Sequence, residues 1–331
     1  MSLARKMQRR CMSRLENLLV RRAEANHFPP VFITGSCRSG TTVVYQYLVQ
    51  SFRTSYFPNI ARQRPLWPYL ATRLGCDNSP PEKDFASHFG EIAGQCAPSD
   101  GWEIFLRWFS YFMNPGETDF RGLPTIPRLI GLFERFYNQS PFINKNNANT
   151  LRLVELHHVL PRSVIVHVIR ELPATIESVL RGRAKNEIAA DQFWSAAPDK
   201  SLIPFDLTSE LELVVFQNLV CNRFVERADR ELDLGVINVD YNSFCTAPWA
   251  VARQVNDAWT QRTGRPLPTR AGRDEHASFE DRGNVSDQRR CEINDVRDQI
   301  AQRTDEFAGQ LVDDAIASCA ANSPAVRATA G

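Results

Sequence analysis

No apolar run in the 331-residue chain reaches the roughly 18 residues that a membrane-spanning helix needs. The N-terminus also holds no short apolar stretch of the kind a signal peptide carries. Cys11, Cys37, Cys76, Cys96, Cys221, Cys245, Cys291 and Cys319 include no C-x-x-C pair and no His/Cys cluster at ligand spacing. They therefore read as reduced thiols, and no metal site is expected. These absences favour a cytoplasmic location. A formal net charge of +1 offers no global basic footprint for nucleic acid. No internal repeat is visible.

What the chain does have is alternation. Four short apolar runs, Val31 to Thr34, Phe142 to Asn144, Val164 to Ile169 and Val236 to Val239, are bounded by turn formers and separated by helical patterning. They predict an α/β fold with a central parallel sheet. Residues 1–28 form a basic amphipathic pattern that suits either a peripheral membrane or subunit contact, or a helix docked on its own domain. Residues 29–315 are expected to be a single α/β domain. Within it, residues 53–140, dense in Pro, Trp, Phe and Arg, form an insertion expected to act as a substrate lid. Residues 183–208 and 265–290 are irregular stretches able to close a site from other sides, and 316–331 is expected to fray.

The stretch V-F-I-T-G-S-C-R-S-G-T-T-V-V-Y, Val31 to Tyr45, reads as strand, glycine turn and helix, with G-x-x-x-x-G spacing. Helix-start N–H groups and the helix dipole favour an anion there. Arg38 adds a full charge, and Thr41 and Thr42 add hydroxyl donors. Thr41 stands where a nucleotide-hydrolysing loop carries its lysine. The strand V-I-V-H-V-I-R ends in Arg170, not in the aspartate that would hold Mg²⁺. Both substitutions point to a nucleotide with two anionic ends and no metal.

The segments P-V-F-I-T-G-S-C-R-S-G-T-T and V-I-V-H-V-I-R-E-L-P-A-T-I-E-S-V-L resemble the two cofactor signatures of sulfotransferases that use 3′-phosphoadenosine 5′-phosphosulfate (PAPS). Lys145 to Pro161, and Pro98-Ser-Asp-Gly-Trp-Glu followed by Arg107-Trp108-Phe109, resemble the bacterial carbohydrate-type branch. The resemblance covers about residues 30 to 260. It implies a P-loop-like, three-layer α/β/α fold, with PAPS as donor and 3′-phosphoadenosine 5′-phosphate as product. It assigns Arg38, Ser39, Gly40, Thr41 and Thr42 to the 5′ side of the cofactor, and Arg170 and Ser178 to the 3′ side. Ser36 and Cys37 of the same loop are counted among the cofactor-binding residues, although many relatives carry another residue type at the position of Cys37. The R-K-G-x-x-G closing motif of cytosolic members is absent; Asp281-Arg282-Gly283-Asn284 is a partial stand-in.

Sulfonyl transfer also needs cations around the leaving phosphate and a base near the acceptor hydroxyl. Arg38 meets the first need, and Lys145 at a predicted strand end can add to it. Between Arg38 and Cys76 the chain has no Asp or Glu, so the base is sought elsewhere. Asp100 and Glu103 open an aromatic, helix-patterned segment, and their D-x-x-E spacing also fits a capping box. A Glu103–Arg107 helix ion pair is a further reading. His88 and Glu91 are alternatives, while His167 reads as a core histidine. Trp102, Phe105, Trp108, Phe109 and Phe112 have helix spacing, which favours core packing over a sugar-stacking platform. The expected activity is sulfonate transfer to a hydroxyl of a carbohydrate, glycolipid or secondary metabolite. A P-loop small-molecule kinase and a non-catalytic nucleotide-binding module are the alternatives.

Overall fold

The computed structural model describes residues 3–79, 85, 90–270, 277–281 and 283–323. Four parallel strands, β1 (Val31–Thr34), β2 (Ile143–Lys145), β3 (Val164–Ile169) and β4 (Ile237–Asp240), form a sheet in the order β2-β1-β3-β4. Each lies within one residue of an apolar run in the sequence. β1 and β3 are almost wholly buried, which is why they read as unbroken apolar runs rather than alternating ones. β2 starts one residue later than its run because Phe142 gives its carbonyl to Val31 N (2.8 Å) before the ladder begins. That shift makes Lys145 the last residue of β2, in register with Ile33.

The chain leaves β1 on one side to reach β2 and crosses to the other side for β3. The strand order therefore reverses at β1. In open parallel sheets the crevice beyond the carboxyl ends of the strands at such a reversal is where ligands bind.

Helices flank the sheet. α1 (Leu3–Arg22) precedes β1, and α2 (Thr41–Ser51) follows it. Between α2 and β2 run α3 (Asn59–Arg62), α4 (Pro68–Gly75), α5 (Trp102–Phe105) and α6 (Thr125–Phe136). α7 (Leu153–Val159) leads into β3; α8 (Leu172–Lys185) and α9 (Glu210–Leu232) connect β3 to β4. After β4 come α10 (Tyr241–Thr246), α11 (Pro248–Thr263) and α12 (Asp287–Ala321). α2 and α11 pack together, with α11 on β3 and β4, while α8 and α12 pack on α9. α9 starts at Ser209, whose side chain accepts from Glu212 N, and Glu212 accepts in turn from Thr208 N at 2.8 Å, a reciprocal cap.

α1 docks on its own domain. Buried Glu16 accepts from Tyr69 N (2.9 Å) and Leu70 N (3.0 Å), so its carboxylate caps the first turn of α4.

Three expectations need correction. The thiols are not all reduced: Cys76 and Cys96 form a disulfide, with Cα atoms 5.6 Å apart across 20 residues. Docking of the Gln95 amide on the Gly75 carbonyl (2.9 Å) brings the two together, a tertiary contact that spacing does not reveal. Residues 316–321 do not fray but form the end of α12, with Cys319 buried. The segment after Asp100 is not one aromatic helix either. α5 is a single turn whose N-cap is Gly101, not a capping box, because Phe105, Trp108 and Phe109 turn into the core at the expense of helix continuity.

The 53–140 insertion is itself packed. Phe57 meets Phe133 and Phe142 edge to face at 4.9 and 4.8 Å, and all three belong to the buried cluster that includes β1 and β3, so the described part of this segment is built into the main core.

Candidate active site

A cavity of about 330 Å³ opens at the carboxyl ends of β1, β2 and β3. Its floor is the loop after β1. Gly40 there has φ 96°, and a Cβ on it would lie 2.2 Å from the Tyr241 ring, so only glycine fits. No side chain caps α2, which leaves its opening N–H groups to a ligand. Arg38 sits at φ 66°, a left-handed conformation that costs free energy in a non-glycine residue and clusters at functional sites.

Cys37, Arg38, Gly40, Thr41 and Thr42 line the cavity; Ser36 and Ser39 do not. Their hydroxyls shape the loop instead. Ser39 Oγ donates to Ser36 O (2.9 Å), and Ser36 Oγ accepts from Asn218 Nδ2 (2.7 Å). Asn218 Oδ1 accepts from Asn222 Nδ2 (3.1 Å), and Asn222 Oδ1 lies 3.0 Å from His167 Nε2. A polar chain, buried at Ser36, Asn218 and His167, thus ties the loop through α9 to β3. Burial pushes the Cys37 thiol up, with Arg38 opposing.

Arg170, the first residue after β3, lines the same cavity. Its Nη1 donates to the Arg38 carbonyl (3.4 Å), and Arg38 Nε donates to Ser178 Oγ (3.1 Å). Ser178 does not line the cavity; it braces Arg38. The two arginines therefore converge on one space, although 132 residues separate them in the chain. Arg170 also pairs with Asp281, and its guanidinium lies 5.2 Å from the Tyr241 ring centroid.

The sequence model of the sulfotransferase family matches residues 29–259, which include the loop, both arginines and all four strands. The chain belongs to the sulfotransferase family. Among solved structures it is similar to sulfotransferase STF9 from Mycobacterium avium, with 14% identity and a TM-score of 0.54 over 92% of this chain and 82% of that one. It is also similar to sulfotransferase STF1 from Mycobacterium tuberculosis H37Rv, with 12% identity and a TM-score of 0.50 over 91% of this chain and 86% of that one. At these identities the likeness concerns the fold. Among curated proteins no sequence match is found.

In this sulfotransferase-family chain the acids of the insertion separate sharply. Asp100 and Glu91 line the cavity, as does Lys145. Burial lowers the Lys145 pKa, and the Asp100 carboxylate opposes that shift. Glu103 does not line the cavity. Arg62 Nε holds both of its carboxylate oxygens, at 2.7 and 2.9 Å. Burial raises the Glu103 pKa and Arg62 opposes that shift, so its place outside the cavity is what separates Glu103 from the site. Arg62 also binds Glu91 (2.6 Å), so Arg62, not Arg107, is the ionic partner here; Arg107 donates to Asn17 Oδ1 (3.1 Å). His88 lies outside the described residues. Among the described residues, no group of His, Cys, Asp and Glu is arranged to hold a metal ion.

Tyr111, Asn147, Trp194 and Tyr241 line the cavity without having been singled out in the sequence, and Trp102 lines it although its spacing favoured core packing. Trp102 and Tyr111 meet edge to face at 5.0 Å and, with Trp194, line the cavity. Trp102 is therefore site wall, not core. Asn147 links the loop to β2, accepting from Thr41 Oγ1 (3.2 Å) and donating to Ser36 O (2.9 Å). Tyr241 directly follows β4, and the rule that ligands bind beyond strand carboxyl ends could have found it.

Proposed function

We propose that the protein transfers a sulfonyl group from PAPS to a hydroxyl of a carbohydrate, glycolipid or secondary-metabolite acceptor, without a metal. The observation that carries this reading is the convergence of Arg38 and Arg170 on one cavity at the point where the strand order reverses. Two cationic ends of one space suit a nucleotide that is anionic at both its 3′ and 5′ positions.

The residues fit such a donor. Arg38, Thr41, Thr42 and the α2 N-terminus would hold the 5′ end, and Arg170 the 3′ end, with Ser178 acting through Arg38. When bound, PAPS supplies the sulfonyl group and a phosphate leaving group. Lys145 and Arg38, which both line the cavity, would supply positive charge to the leaving phosphate, the kind of preorganised stabilisation that dominates in a dry site. Of the two acids among the described residues that line the cavity, Glu91 is paired with Arg62, so the role of accepting the acceptor hydroxyl's proton falls to Asp100. Trp102, Tyr111 and Trp194 offer flat apolar surface for a ring-bearing acceptor.

Transfer of labelled sulfonate from PAPS to an acceptor panel, run with a metal chelator, tests the activity. Asp100→Asn is expected to lower kcat by about 10² to 10⁴ while leaving donor affinity unchanged. Full turnover in Asp100→Asn would remove that residue as the base, and absence of transfer to any acceptor would favour a binding module.

A further inference from the structure

We infer that the Asp281 carboxylate is a built-in competitor for the anion bound by Arg170, so that the donor's 3′-phosphate must displace it and Asp281 sets donor affinity. This rests on the donor reading above.

Asp281 is held as a phosphate oxygen would be. Both its oxygens face Arg170, one through Nη2 and the other accepting from Nε at 3.3 Å, and Oδ1 also accepts from Gly283 N at 3.0 Å. A guanidinium fork plus a backbone N–H is the donor set that recognises phosphate. The pair is largely withdrawn from water, with side chains 11% and 20% exposed. The chain passes so close that a Cβ on Gly283 would lie 2.6 Å from Arg170 Nη2 and 2.7 Å from the Ala174 Cβ. Glycine at 283 thus lets the backbone pass beside Arg170 while its N–H donates to Asp281.

The surrounding segment is pinned on either side. Phe279 N donates to Cys245 O (2.8 Å), and its ring stacks on Phe244 at 5.4 Å. Beyond Gly283, Arg289 Nε binds Glu177 (2.6 Å) and Arg290 binds Glu171, fixing the start of α12 on α8. A rotation of the Asp281 side chain alone can then free Arg170 without detaching the segment. If the carboxylate stayed, the phosphate would meet a like charge at the same guanidinium, which is unfavourable. The two anions exchange.

Calorimetric dissociation constants for 3′-phosphoadenosine 5′-phosphate and adenosine 5′-phosphate, measured on the wild-type protein, Asp281→Asn and Asp281→Glu, test this. Asp281→Asn is expected to bind the bisphosphate about tenfold more tightly with the monophosphate unchanged, and Asp281→Glu to keep the wild-type ratio. Thermal unfolding checks that the variants fold. Equal tightening for both nucleotides, no change, or weaker bisphosphate binding in Asp281→Asn overturns the inference. A wild-type preference for the bisphosphate that Asp281→Asn does not enlarge sinks the inference alone; no preference in any form removes the donor assignment with it.

Discussion

Single side chains here are governed by which neighbour reaches them. Asp100 and Glu103 are three apart in sequence, yet Asp100 faces the cavity and Glu103 is tied to Arg62. No propensity distinguishes them. His167 was legible as a core histidine from its place in an apolar strand, and the structure supplies its consequence. Burial lowers its pKa from 6.5 to about 4, so the folded protein keeps it neutral while the unfolded chain protonates it near its ordinary value. The unfolded state thus binds more protons between those two values, and stability falls as pH drops through that window. The loss attributable to this group approaches roughly 3 kcal/mol below both values. Urea unfolding as a function of pH should show a shallower acid slope in His167→Gln than in the wild type; parallel slopes would contradict it.

At the scale of elements, β1 and β3 were readable because burial on both faces writes an unbroken apolar run. The insertion was not. Its aromatics carry helical spacing, but tertiary packing ends α5 after one turn. The same segment holds the Cys76–Cys96 bridge, which ties the end of α4 to the stretch that follows cavity residues Gly90 and Glu91. Closing a loop of 20 residues restricts the unfolded chain by about 3 kcal/mol. Cys96→Ser should therefore lower the unfolding temperature, and a thiol reductant should lower that of the wild type but not of the variant. An equal response to reductant in both proteins would place the effect elsewhere.

For the whole molecule, the decisive feature is the reversal of strand order at β1, which sets the loop after β1 beside the end of β3. A ligand bridging these two ends holds several elements at once, and it binds only the folded state. At 100 times its dissociation constant, 3′-phosphoadenosine 5′-phosphate without metal should stabilise the fold by about 2.7 kcal/mol, read as a rise in the thermal midpoint. Stabilisation by ATP with Mg²⁺ in its place would instead support the kinase reading.

The sequence by itself determined the local grammar: four apolar runs, a glycine turn that carries one arginine and opens a helix, and a second arginine at a strand end. Those features depend on backbone sterics and on burial of adjacent residues, which short windows record. Tertiary structure alone decided which acids meet the cavity, which cysteines pair, which aromatics form its wall, and that Asp281 reaches Arg170 across 111 residues. Such contacts depend on how distant segments pack, and no spacing within one segment encodes that.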